Sequence, residues 1–147
     1  MSHPYARNYI HLVFSTRERR PFLKPQWRTP LYDDLRRIGV EYGVSLDTLG
    51  GTEDHVHILL ALPPKISVAV LVRALKGKSS KLMGDRGHLF GWQTGYGCFS
   101  VSASNLVTVR NYIHSQEEHH RKWTFTQEFE SLLRKHGIAV NGDRPFG

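Results

Sequence analysis

The chain reads as an α+β protein of the ferredoxin-like split βαβ kind: an antiparallel sheet built in the order βαββαβ, with additional helices at the C-terminal end. Three observations predict it. Stretches of two-residue alternation (Tyr9 to Ser15, Val44 to Leu49, His55 to Leu62 and Trp92 to Ser102) are strand-like. Stretches of helical period separate the first strand from the second and the third from the fourth. Only the second and third strands lie close enough in sequence to form a hairpin, an order that leaves one sheet face free for a site or for the terminal helices.

Each element has its own local reason. In Tyr9 to Ser15, Ile10, Leu12 and Phe14 share one face, with His11 and Val13 on the other. Arg17 to Pro25 is a basic connection. From Gln26 to Tyr42, Leu31, Leu35 and Ile38 recur at helical spacing, and Gly43 terminates the run. The next two strands turn around Gly50-Gly51, and Pro63-Pro64 closes the second. Ile66 to Met83 carries Val68, Leu71, Val72, Leu75 and Leu82 on an apolar stripe, with Arg73, Lys76 and Ser80 on another side. Gly77 inside that helix costs about 1 kcal/mol relative to alanine, a hint of a bend or a close backbone approach. Gly95 and Gly97 interrupt the fourth strand. Ser104 caps a helix from Asn105 to about Glu118, and Thr124 with Gln127 has capping-box spacing for a last helix ending before Gly137.

The 147 residues, 39% hydrophobic and 11% aromatic, suit a single domain spanning 1–147. Lys and Arg number 20 against 13 Asp and Glu, and this excess points to a polyanionic partner. The basic residues are spread along the chain, as on a folded surface rather than a disordered tail. Cys98 is the only cysteine, which excludes an intrachain disulfide and a cysteine-based zinc site. The start, Met1-Ser2-His3-Pro4, lacks a signal-peptide core, and apolar runs such as Ile58 to Leu62 are too short to span a bilayer. A cytoplasmic protein with no membrane partner is expected.

Two groupings carry chemistry. His55-Val56-His57 lies within an alternating strand, so both imidazoles project from one face and can grip one ion. With nine histidines a His-x-His triplet arises about 0.5 times by chance, so its place on a strand matters more than its occurrence. On the helix from Asn105, Leu106, Val109 and Ile113 form a core stripe, while Tyr112, Gln116 and His119 share another side.

In order and spacing the chain resembles the HUH-type single-tyrosine transposases of prokaryotic insertion sequences and the related REP-associated tyrosine transposases. The resemblance runs from Tyr9-Ile10-His11-Leu12-Val13-Phe14-Ser15-Thr16-Arg17 with Arg20, through Asp54-His55-Val56-His57-Ile58-Leu59-Leu60 and Leu75-Lys76-Gly77-Lys78-Ser79-Ser80. It continues with Trp92-Gln93-Thr94-Gly95-Tyr96-Gly97, Tyr112-Ile113-His114-Ser115-Gln116, His119-His120, and Phe125 with Glu128-Phe129 and Leu132-Leu133 ahead of Gly137-Ile138. It implies that His55 and His57 are metal ligands, Gln116 the third ligand and Tyr112 the nucleophile. It also implies Mg²⁺ or Mn²⁺ and a homodimer acting on hairpin-bearing single-stranded DNA.

Elementary chemistry agrees with those roles. A phosphodiester breaks when an attacking oxygen, charge neutralisation at phosphorus and help for the departing 3′ oxygen coincide. A tyrosyl-phosphate conserves the energy of the broken bond, so cutting and rejoining need no nucleotide triphosphate. A free phenol has a pKa near 10 and needs a cation or a base, for which His119 is a candidate, with Asp54 orienting a histidine. Outside the centre, Arg73, Lys76, Lys78 and Lys81 are candidates for phosphate contacts, and Trp92 and Tyr96 for base stacking. His11 and His114 read as structural. Two other readings compete: a non-catalytic module binding single-stranded nucleic acid, and a domesticated palindrome-processing or nicking enzyme of the same chemistry. The end at Gly147, with no basic extension, favours the insertion-sequence form.

Overall fold

A computed structural model describes residues 5–140; the start Met1-Ser2-His3-Pro4 and the end at Gly147 lie outside them. The chain runs β1 (Tyr9–Ser15), α1 (Pro25–Glu41), β2 (Leu46–Gly51), β3 (His55–Ala61), α2 (Val68–Asp85), β4 (Gly97–Val101), α3 (Leu106–His114), α4 (Gln116–His119) and α5 (Phe125–Lys135). The sheet is antiparallel in the order β2-β3-β1-β4, so the expected split βαβ plan holds.

Alternation assigns the two faces. Ile10, Leu12 and Phe14 of β1 join Val56, Ile58 and Leu60 of β3 beneath α1 and α2, and Leu31, Leu35, Leu71 and Leu75 complete that core. On the other face Val13 and Phe99 meet Phe125, Phe129 and Leu132 of α5. The strand register sets His57 opposite Val13 and His11 opposite Phe99, so three imidazole-bearing positions of β1 and β3 share the face that α3, α4 and α5 cover.

Two glycines allow that cover to sit low. A Cβ on Gly50 would lie 2.3 Å from the Ile113 carbonyl oxygen, and one on Gly97 would lie 2.6 Å from the Phe129 ring. Gly50 therefore lets the C-terminal end of α3 touch β2, and Gly97 lets α5 press on β4. Arg110 holds α3 laterally through a two-pronged pair with Asp47, at 2.8 and 2.9 Å. Gly50→Ala is expected to force α3 outward and to lower stability by about 1–3 kcal/mol, as overpacking against backbone does. Thermal unfolding checks this, and an unchanged midpoint would show that α3 yields freely.

The structure departs from the sequence reading in five places. Gly50 and Gly51 belong to β2, paired with His57 and Val56, and the connection is formed by residues 52–54 instead. The fourth strand starts at Gly97, because Trp92 turns inward and keeps only an isolated bridge to Thr16. The helix expected to run from Asn105 to Glu118 breaks at Ser115, whose hydroxyl bonds the Asn111 carbonyl at 2.8 Å, a back-bonding that bends helices. Ser104 does not cap: it lies in a 3₁₀ turn (Ala103–Asn105), and its hydroxyl pairs with that of Ser102. Gly77 accompanies neither a bend nor a close approach, since α2 is unbroken and the space around its α-carbon is open. The Thr124–Gln127 capping box forms as expected. No described helix is long and apolar enough to cross a membrane.

Candidate active site

β3 delivers His55 and His57, both wholly buried, from adjacent same-face positions. α3 brings Tyr112, and α4 brings Gln116, so the break at Ser115 does not separate the pair: the Gln116 amide nitrogen donates to the Tyr112 carbonyl at 3.3 Å. α5 adds a residue that motif reading missed. Glu128, 1% exposed, sets Oε1 2.9 Å from His57 Nε2, 3.1 Å from His120 Nε2 and 3.5 Å from His55 Nε2. Its Oε2 accepts the hydrogen bond of the Tyr112 hydroxyl.

The donor chemistry of this cluster fits a divalent cation. His55 Nδ1 donates to Asp54 Oδ1 at 2.7 Å, which in a neutral ring leaves Nε2 as a lone pair. That lone pair faces Gln116 Oε1 at 2.9 Å, acceptor against acceptor. His120 is held differently: Nδ1 donates to the Trp123 carbonyl at 2.7 Å, and Nε2 lies 3.1 Å from both Gln116 Oε1 and the Glu128 carboxylate, to which it donates. Two buried acceptors facing each other are unfavourable, and a cation between His55 and Gln116, with the Glu128 carboxylate beside it, satisfies them together. One ligand atom from each of His55, His57 and Glu128 lies within 4.8 Å of the others.

Supporting contacts fix these rings. Asp54 holds His55 and is itself held by the Thr52 hydroxyl at 3.1 Å, while His11 Nε2 stands 2.7 Å from His57 Nδ1. His11 thus orients the His57 ring. Burial, then the charge of neighbouring His57, lowers His11 to about 3; burial lowers His57 to about 4 against the pull of Glu128. Burial pushes the Glu128 carboxyl upward, but hydrogen bonds from His120 and His57 prevail and hold it well below the usual range. The Tyr112 phenol is raised above its ordinary value by burial and then by the Glu128 charge.

The predicted site residues separate into two groups. Tyr112, His55, His57, Gln116 and Asp54 come together within one chain, the Tyr112 and His57 ring centroids 5.6 Å apart. His119 stands one step further out, its Nε2 3.8 Å from Glu128 Oε2, and the Tyr112 hydroxyl goes to Glu128 instead. The candidate DNA contacts lie with α2. Arg73, Lys76, Trp92 and Tyr96 line an open groove of about 600 Å³. Two of these are engaged already: Lys76 Nζ donates to the Gln93 and Gly95 carbonyls at 2.8 and 2.6 Å, and burial lowers its pKa to about 8. Trp92, 9% exposed, bonds Ser79 and packs on Phe14, so it is a core residue and not a free stacking surface. Lys78 and Lys81 sit outside the groove, paired with Glu41 and Asp85. A second cleft of about 700 Å³ opens beside the histidines, lined by Arg19, Arg28, Asp54, His120, Arg121 and Trp123 among others.

The family described as "Transposase IS200 like" matches residues 5–116. The chain belongs to that family. The ISDra2 transposase TnpA of Deinococcus radiodurans is 30% identical over 126 residues, covering 77% of this chain and 90% of the relative. The transposase for insertion sequence element IS200 of Salmonella typhimurium is 32% identical over 117 residues, 74% and 76% of the two chains. A crystal structure of a Deinococcus radiodurans protein assigned as a transposase superposes with TM-score 0.64 at 28% identity, covering 77% of this chain and 94% of that one. A REP-associated tyrosine transposase bound to a REP hairpin superposes with TM-score 0.62 over 97% of this chain and 91% of its own, at 14% identity, a likeness of fold. Family membership and fold therefore agree with a DNA transposase.

Proposed function

We propose that this transposase cleaves and rejoins single-stranded DNA through a 5′-phosphotyrosine at Tyr112, in a site where His55, His57 and Gln116 hold Mg²⁺ or Mn²⁺ and Glu128 adds an anionic oxygen. The reading rests on one observation: the Tyr112 hydroxyl and five potential ligand atoms converge in one buried cluster of a single chain. A bound divalent ion supplies charge neutralisation at the phosphoryl oxygens and stabilises the departing 3′ oxygen. Two nitrogen and two oxygen donors are a harder set than imidazoles alone, which favours Mn²⁺ or Mg²⁺ over softer metals. The chain's own residues do the rest. Gln116 and Glu128 close the pocket around His55 and His57, and α3 carries the phenol to its edge.

The new Tyr112 Oη–phosphorus bond replaces the phosphorus–O3′ bond, leaving a free 3′-hydroxyl whose later attack reverses the exchange. Hairpin-bearing DNA is the proposed substrate, a second copy of the chain the proposed partner, and the cytoplasm the proposed location, with residues 1–147 acting as one domain. Because nucleophile and ligands meet within one chain, the chemistry is expected in cis.

A 3′-labelled single strand taken from palindromes flanking the gene tests the proposal. With Mn²⁺ the label is expected on the protein, on a peptide containing Tyr112 by mass spectrometry, and chelation is expected to prevent it. DNA binding without any adduct in Mg²⁺ or Mn²⁺ would favour the non-catalytic binding module.

A further inference from the structure

We propose that Glu128 is the positioning residue that couples the ion to the nucleophile, one carboxylate oxygen facing the metal ligands and the other seating the Tyr112 hydroxyl. The inference rests on the reading of Tyr112 as nucleophile and deepens it. Glu128 lies beyond residues 5–116 where the family description matches, and it arrives on a helix of its own. Its place is built. α5 starts at the Thr124 capping box, and Phe125 and Phe129 pack on Val13 and Phe99. Gly97 removes the Cβ that would hold Phe129 off the strand. Glu128 falls between those phenylalanines, on the inward stripe of α5.

The two oxygens are differently engaged. Oε1 meets His57 and His120 at 2.9 and 3.1 Å, and Oε2 holds the phenol, with His119 at 3.8 Å. One rigid carboxylate therefore fixes the nucleophile relative to His55 and His57, which lie on a different element from Tyr112. Besides Glu128, Tyr112 on α3 meets the histidines on β3 through ring contact with His57, 5.6 Å between centroids, and through Gln116 beside His55. A phenol that must meet a phosphorus atom beside the ion gains from this fixation, because misplacement by about 1 Å in a reacting pair slows reaction on the order of 100-fold.

Glu128→Gln tests the coupling, since it keeps shape and removes charge. Mn²⁺ affinity by calorimetry is expected to weaken about 10- to 100-fold. The single-turnover rate of adduct formation at saturating Mn²⁺ is expected to fall on the order of 100-fold, while affinity for the oligonucleotide is unchanged. A normal rate at saturating Mn²⁺ overturns the coupling even if metal affinity drops, and so does wild-type Mn²⁺ affinity. Glu128→Asp is the second variant, keeping the charge but shortening the reach by one methylene. Its folded chain, checked by circular dichroism, is expected to bind Mn²⁺ and still react slowly; full speed overturns the proposal. Wild-type protein forming no adduct at all defeats the strand-transfer reading instead, so the two failures are distinguishable.

Discussion

In a Tyr112→Phe chain the covalent protein–DNA product is expected to vanish, a loss of at least about 10⁴-fold, while fold, Mn²⁺ binding and DNA binding persist. The physical basis is the smallness of the change. Phenylalanine keeps the ring that lies against His57, His11 and His119 at centroid distances of 5.6, 6.1 and 5.2 Å, and only Oη is deleted. One hydrogen bond to Glu128 is lost, which costs about 1–3 kcal/mol because the acceptor stays buried. The carboxylate retains His57 and His120 as partners on its other oxygen. Gel-shifted, denaturation-resistant adduct measures the activity, and thermal unfolding measures the rest. An adduct of wild-type yield in the variant would place the nucleophile elsewhere and remove the basis of the proposed reaction.

The second large effect is expected at His57. This imidazole is the hub of the buried network, between His11 and Glu128. In the wild type, Mn²⁺ at about 100 times its Kd is expected to add about 2.7 kcal/mol of stability, a rise of several degrees in Tm. His57→Ala deletes a proposed ligand and leaves Glu128 without one hydrogen-bond partner, so the metal-dependent rise is expected to disappear together with all adduct formation. The metal-free chain is expected to lose about 1–3 kcal/mol as well, because a buried polar group has been stranded. Thermal scans with and without Mn²⁺ separate the two effects. A full metal-dependent rise in the variant would show that the ion sits elsewhere.

These expectations rest on a site of which the sequence showed about half. His55 and His57 were legible because two-residue alternation is a local rule that puts both rings on one face. Tyr112 and Gln116 were legible from helical spacing, although the helix breaks between them. His11 reads from the sequence as a lone structural histidine, because its meeting with His57 depends on the register between β1 and β3, which alternation alone does not set. Glu128 did leave a signal: it falls on the stripe of Phe125, Phe129 and Leu132, where a carboxylate has no place without buried partners. His120, four residues after Gln116, carried a weaker one.

By itself the sequence determined what short-range periodicity encodes: four strands, their inward faces, the capped last helix, the basic balance and the residues that cluster by spacing. Tertiary structure decided what depends on elements meeting. It placed Glu128 against Tyr112, buried Trp92 in place of offering it to a base, sent Lys78 and Lys81 to acidic neighbours, and began β4 five residues later than alternation suggested. Distances between residues far apart in the chain are set by sheet register and by the depth at which helices dock. Here that depth is granted by the missing side chains of Gly50 and Gly97, and periodicity within a single element carries no record of it.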